Sequence, residues 1–217
     1  MFARGKIMDT LEIFKNLSKG EINSLNKALN AYTSVFKKNM TVMSNLANTS
    51  EMGIIQSGSA LLVKIDFNGN RNIVSLLEAG DIFGALLNSY SSDEMVVIAN
   101  SDCKILFLDY SKLFNNSKYS FSQKFVQNLL AILTKRVNLL DKRIEVLTKK
   151  TIREKLLEYF YDLQKEQSSN IIKIPFSKIE LAEYLAIDRA AMMRELKKLK
   201  EEQIIEIKNR EITIITR

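Results

Sequence analysis

Residues 177–215 read SKIELAEYLAIDRAAMMRELKKLKEEQIIEIKNREITII, and this run decides the fold. Ser177 followed by Glu180 is a capping-box pattern: the serine oxygen accepts from the third helical N–H, and the glutamate accepts from the serine N–H. It starts a helix over Lys178–Leu185 that sets Ile179, Ala182 and Leu185 near one side, with Ala182 small where two helices must cross. Ala186-Ile187 makes a tight turn, and Asp188 stands where it can cap a second helix by accepting from its free N–H groups. Along that helix Met192, Leu196 and Leu199 recur at spacings of 4 and 3, which gives it one buried side. The run closes on a hairpin: Ile204–Ile207, a polar turn over Lys208–Glu211, then Ile212–Ile215.

Helix, turn, helix and wing in this order predict a winged helix-turn-helix, and its outward chemistry suits a polyanion. With Met192, Leu196 and Leu199 inward, Arg189, Ala190 and Arg194 turn outward beside Ala191. Small residues let the backbone approach a duplex closely. An arginine fork can donate twice to guanine O6 and N7, worth about 1–3 kcal/mol of discrimination per good pair. Lys197, Lys198 and Lys200 extend the basic surface; a solvated face that complements the helix dipole explains them equally well. The residues expected to meet double-stranded DNA are Ser177, Lys178, Asp188, Arg189, Ala190, Ala191, Met193, Arg194, Lys197, Lys208 and Arg210.

Upstream of this reader, Val126, Leu130, Leu133, Val137, Leu140, Ile144 and Leu147 recur at spacings 4, 3, 4, 3, 4, 3. That is a heptad seam held for three heptads, on a helix predicted over about 119–147 and roughly 43 Å long. β-branched residues and leucine share the seam, as two-stranded parallel coils prefer, so it predicts a homodimer. A long helix packed on its own domain is the alternative. A further helix is expected near Thr151–Gln167, then a loop through Glu166-Gln167-Ser168-Ser169-Asn170, and a short strand over Ile171–Ile174 that Pro175 ends.

The N-terminal half follows another grammar. All seven glycines precede residue 85, five of them between Gly53 and Gly84. Glycine-punctuated runs such as GIIQSG, ALLVKIDFNGN, RNIVSLLEAGDIFG and MVVIANSDCKILFLD read as short strands of a small β-barrel or roll. Asn68-Gly69 suggests a hairpin with a type I′ turn. Before the strands, Asp9 to Ala31 reads as helical, with Leu11, Phe14, Leu17, Ile22, Leu25 and Leu29 apolar. The chain therefore divides into a sensor or effector domain over 1–118, a dimerisation helix over 119–148 and a DNA-binding domain over 149–217.

Composition narrows the function further. A 46% apolar fraction supports real cores. No stretch approaches the roughly 18 apolar residues of a membrane span, and MFARGKIMDT has no apolar export signal. The chain has no histidine, which removes Ser-His and Cys-His catalysis, histidine zinc sites and histidine-ligated haem, so an enzyme is not expected. A single Cys103 cannot form an internal disulfide and fits the cytoplasm. Net charge is +7, but residues 1–118 hold 12 Lys+Arg against 11 Asp+Glu and residues 119–217 hold 20 against 14. This asymmetry suggests a polyanion partner for one end only, with a solvated basic face as the alternative.

Taken together, these motifs resemble the Crp–Fnr family of bacterial transcription regulators over nearly the whole chain. In the sensor the resemblance rests on Gly58, the turn Asp66-Phe67-Asn68-Gly69, Arg71, Leu77 and Gly80-Asp81-Ile82-Phe83-Gly84; in the reader it rests on LAEYLAIDRAAMMRELKKLKEEQII and the wing. It implies an α+β architecture: a cyclic-nucleotide-binding-like β-roll, a long dimerisation helix and a C-terminal winged helix-turn-helix. It also implies regulation of transcription, with DNA, a second copy of the chain and RNA polymerase as partners.

Family members that bind cyclic AMP carry a glutamate after the phenylalanine-glycine pair for the ribose, and an arginine-serine pair for the cyclic phosphate. Here those positions hold Ala85 and Asp93-Glu94, and two carboxylates facing an anion would repel it. Cyclic AMP is therefore not the expected effector. The family's iron–sulfur sensors use about four cysteines, against one here. Its carbon monoxide sensors ligate haem with histidine and cysteine, and no histidine exists here; no cofactor or metal is expected. Cys103 falls in a strand, where a buried inert thiol is commoner than a redox sensor. An effector pocket for some other small molecule would draw on Leu76, Leu77, Phe83, Gly84, Ala85, Leu86, Leu87, Tyr90 and Gln127, although phenylalanine and leucine there are more often roll core than ligand contacts. Ala190 stands where relatives with a well-defined half-site often carry glutamate, so their operator does not transfer. The competing reading is a small-molecule-binding module whose winged helix docks a protein partner.

Overall fold

A computed structural model describes residues 11–44, 50–84, 94–112 and 123–215. It divides into two compact units, Met1–Arg136 and Val137–Arg217.

In the first unit a 3-10 turn, Glu12–Phe14, precedes helix α1, Lys19–Ala28. The single helix expected over Asp9–Ala31 is thus two pieces. Asn16 takes a left-handed φ of 63°, which an α-helix cannot continue through, and Ser18 with Glu21 then caps α1 with a full capping box. Among the described residues eight strands follow: β1 Tyr32–Phe36, β2 Thr41–Met43, β3 Glu51–Ser57, β4 Ala60–Ile65, β5 Arg71–Leu77, β6 Ile82–Gly84, β7 Glu94–Ala99 and β8 Cys103–Asp109. They form two antiparallel sheets, ordered β1-β8-β3-β6 and β2-β7-β4-β5.

The uninterrupted apolar runs of β3 and β8 have a physical reason: both faces of their sheet are covered. Met52, Ile54, Leu106 and Leu108 pack toward Phe14, Ile22, Leu25 and Phe125. Ile55, Ile105 and Phe107 face the roll interior, with Leu62, Leu77, Phe83 and Val97. The β4–β5 hairpin differs from a type I′ turn, which needs φ above zero at both central residues. Only Gly69 is left-handed there, at 79°, and its N–H donates to Asp66 O at 2.9 Å. The Asp66 carboxylate takes over the pinning, accepting from Asn68 N, Asn70 N and Asn70 Nδ2, each at 2.9 Å.

Helix α2, Gln123–Leu147, carries two apolar faces, and the unit boundary falls within it. Residues 119–122 of the expected helix lie outside the described residues. Phe125, Leu129 and Ile132 pack on the first unit's core, and Leu133 joins them. Of the expected seam, Val126, Leu130, Val137, Leu140 and Ile144 remain between 37% and 58% exposed, and Leu147 is half-buried. A stripe packed wholly on its own domain is not what these five residues do.

The second unit continues with α3, Ile152–Gln167, capped by Thr151 and Glu154; β9, Ile171–Lys173; α4, Lys178–Leu185; α5, Arg189–Glu201; β10, Ile205–Lys208; and β11, Glu211–Ile214. β9 joins the hairpin, giving a three-stranded antiparallel sheet ordered β10-β11-β9. The hairpin turn is shorter than expected. Lys208 pairs with Glu211 in the ladder, leaving Asn209 (φ 58°) and Arg210 as the tip.

Candidate nucleic-acid interface

Each end of α4 and α5 is set by local chemistry. Ser177 Oγ accepts from Glu180 N at 3.3 Å, and Ser177 N donates to Glu180 Oε2 at 2.6 Å. Ala186 ends α4 in the left-handed region, at φ 50°, with its N–H turned back on the helix. Asp188 Oδ1 then accepts from Ala191 N at 2.7 Å and starts α5. The α4 side that packs is Leu181, Ala182 and Leu185; Ile179 is 50% exposed, which corrects the expected face by shifting it around the helix. Met192, Leu196 and Leu199 are buried as their spacing predicts.

With that side inward, Arg189, Ala190, Arg194 and Lys197 are exposed, and Ala191 and Met193 are half-buried beside them. Lys178, Asp188, Lys208 and Arg210 are exposed as well. Ser177 is half-buried with its hydroxyl engaged in the cap. Arg210 O accepts from Ile174 N at 2.8 Å, which ties the wing tip to the chain before Pro175.

The carboxylates around α5 are matched by cations. Arg153, at the start of α3, donates through Nε to Glu195 at 2.7 Å and through a terminal nitrogen to Glu202 at 2.6 Å. Its hydrogen bond, and then its charge, hold the Glu202 carboxyl below its ordinary range, and hydrogen bonds to the two carboxylates raise the Arg153 guanidinium. Lys198 approaches Glu195 at 3.8 Å, and Lys197 approaches Glu201 at 3.6 Å. Among the described residues Arg189 and Arg194 have no ion-pair partner. The exposed N-terminal part of α5 therefore presents two guanidinium groups without an ion-pair partner among the described residues, while Glu195 and Glu202 are engaged by Arg153 from α3. Arg153 was not foreseen; no local pattern marks an arginine whose partners lie about forty residues away.

The residues expected to line an effector pocket are placed unevenly. Leu77 and Phe83 are fully buried in the interior core, where Phe83 lies edge-on to Phe107 at 6.3 Å. Leu76 is half-buried, Gly84 is buried at φ 115°, and Gln127 is exposed on α2. Ala85, Leu86, Leu87, Tyr90 and Asp93 lie outside the described residues, as does the Glu94 side chain. Cys103 is buried, and burial with Asp102 beside it pushes its thiol up, away from a reactive thiolate. No described helix is long and apolar enough to cross a membrane.

Comparison with known proteins agrees at three levels. The family model of the cyclic nucleotide-binding domain matches residues 33–116, and that of the Crp-like helix-turn-helix domain matches residues 154–217. A probable transcriptional regulator of Lacticaseibacillus casei, flp, is 24% identical over 207 residues, covering 94% of this chain and 91% of the relative. In fold, the chain is similar to a CooA mutant from Carboxydothermus hydrogenoformans, with a TM-score of 0.73, 20% identity, and 95% and 91% of the two chains covered. It is also similar to the c-di-GMP responsive global regulator CLP of Xanthomonas campestris, with a TM-score of 0.72, 18% identity, and 92% and 100% covered. With both family modules in order around a long helix, and a reader whose free arginines face outward, the chain belongs to the Crp–Fnr family of transcription regulators, which are not enzymes, and carries that family's helix-turn-helix DNA-binding domain.

Proposed function

We propose that the chain works as a homodimer that reads a specific, near-palindromic operator and does not answer to cyclic AMP. The observation that carries this is the α5 face on which Arg189 and Arg194 stand exposed, with no ion-pair partner among the described residues. Those two arginines select bases, while Lys178, Lys197, Lys208 and Arg210 supply phosphate contacts and hence salt-dependent affinity. The exposed stripe of α2 supports the dimer: Val126, Leu130, Val137, Leu140 and Ile144 would bury against the same residues of a second copy. Two copies of α5 then enter successive major grooves about 34 Å apart. In this reading residues 1–118 sense, 119–148 dimerise and 149–217 read, in the cytoplasm and in contact with RNA polymerase. By sequence position Ala85 and Asp93-Glu94 support independence from cyclic AMP, because alanine offers the ribose no carboxylate and two acidic residues replace the arginine-serine pair that serves the phosphate.

A gel-shift titration on duplexes selected from a random pool tests the reader. Wild-type protein is expected to discriminate between sequences, and Arg194→Ala to lose about 1–3 kcal/mol of that discrimination at one position per half-site. Equal affinity and equal preference in the two proteins would remove the base-reading role. Light scattering at micromolar concentration tests the dimer separately, and a stable monomer refutes it. Cyclic AMP added to the gel shift is expected to change nothing.

A further inference from the structure

The last turns of α2 belong to the same compact unit as the reader, and one side chain joins them. The Arg143 guanidinium carbon lies 4.5 Å from the centre of the Tyr184 ring, and a terminal nitrogen of Arg143 donates to Tyr184 O at 3.2 Å. Tyr184 is the penultimate residue of α4, two residues before the left-handed Ala186 and four before the Asp188 cap of α5. Its ring stacks on Phe176 at 4.7 Å and meets Tyr159 at 5.5 Å, so it cannot move without the aromatic centre of the reader. Burial weakens the hold of Arg143 on its proton, as expected of a guanidinium taken largely out of water and placed on a ring.

The neighbours of Arg143 make this contact consequential. Val146 is buried within the unit and Lys142 pairs with Glu166 at 3.1 Å, whereas Leu140 and Ile144 project away, exposed. The same two turns of helix therefore carry the seam on one side and grip the helix-turn-helix on the other.

We propose that Arg143 is a positioning residue for DNA reading: by clamping Tyr184 it makes the helix-turn-helix follow the end of α2, so that the seam sets the spacing of two recognition helices. This rests on the dimer reading above. Arginine suits the task because one planar group covers the ring face and donates to the carbonyl behind it. A lysine keeps the charge over the ring and loses the fixed fork.

The test uses the full-length protein and two probes from the random-pool selection: a duplex with both half-sites, and the same duplex with one half-site scrambled. Anisotropy titrations give the ratio of the two affinities. Wild type is expected to prefer the intact duplex strongly. Arg143→Ala is expected to lower that preference about tenfold, in the ordinary range of coupling between sites, while its affinity for the single half-site changes little. Arg143→Lys and Tyr184→Phe, which keep a cation over a ring, are expected to recover most of the preference. If Arg143→Ala keeps the wild-type ratio, the clamp has no positioning role. If it weakens both duplexes equally, or if Arg143→Lys is as impaired as Arg143→Ala, Arg143 is merely structural and the proposal is overturned. A wild-type ratio near one overturns the dimer reading instead, and the clamp's role with it.

Discussion

At the scale of single residues, Gly53 and Cys103 show what a sequence can and cannot disclose. A glycine-rich N-terminal half suggested turns, and Gly69 does serve one. Gly53 lies inside β3, where a Cβ would run into the ring of Phe83. Nothing in the local sequence reveals this, because Phe83 arrives from β6, thirty residues on, through the Gly53–Phe83 pairing of the two strands. Phe83 is itself fully buried and cannot swing clear. Gly53→Ala is therefore expected to cost about 1–3 kcal/mol through overpacking, read as a lower urea midpoint at unchanged slope. Cys103 is legible as an inert thiol because it falls within a predicted strand, β8. A maleimide or disulfide reagent at pH 8 should leave it unmodified in the folded protein and modify it fully in urea, and fast modification of the native chain would contradict the buried, raised thiol.

At the scale of elements, the capping boxes separate what was read from what was readable. The S-x-x-E of Ser177–Glu180 is marked as a helix start by the helix-turn-helix pattern that follows it. The same grammar stands at Ser18–Glu21 and Thr151–Glu154, and both form full boxes. The first marks the break that the helix expected over Asp9–Ala31 ran through. Strands, α4 and α5 were legible because period and punctuation are local; the second apolar face of α2, through Phe125, Leu129 and Ile132, was masked by the stronger heptad beside it. Thr151→Ala removes an N-cap and is expected to lower the unfolding free energy by about 1 kcal/mol. The partner carboxylate adds a pH signature. The Thr151 N–H, then its hydroxyl, hold Glu154 below the ordinary glutamate range. A depressed carboxyl stabilises the fold above its unfolded pKa, near about 4.3, and loses that contribution as pH falls through the folded value. Urea midpoints should therefore drop between pH 5 and more acidic buffer at about 3, and Glu154→Gln, which retains the cap without the charge, should drop less. An equal loss in both proteins would assign the acid sensitivity elsewhere, with Asp66, Asp102 and Glu202 also held low.

At the scale of the molecule, charge and seam meet in one measurable quantity. Residues 119–217 carry 20 Lys+Arg against 14 Asp+Glu, while residues 1–118 are nearly balanced. Much of the acidic part is spent internally: Glu195 and Glu202 on Arg153, Glu166 on Lys142, Glu158 on Lys149. The same pairs also engage Arg153, Lys142 and Lys149, so the net count is nearly unchanged, and what the reader presents to a duplex is set by the exposed cations outside these pairs. Lys178, Lys197, Lys208 and Arg210 are its candidates for phosphate, and each neutralised phosphate releases about 0.9 of a counterion. A dimer would engage twice as many as one reader, so the slope of log affinity against log salt should be about −7, and about half that for a monomer. Lys208→Ala takes one contact from each protomer and should flatten the slope by roughly 2 units without changing which bases are preferred. Ile144→Glu sets like charges against each other at the proposed seam and should give a monomer by light scattering with the half-value slope, while the half-site it prefers stays the same. If Ile144→Glu stays dimeric with the wild-type slope, α2 does not join the copies. If it is monomeric and has lost sequence preference even for a single half-site, the seam does more than bring two readers together.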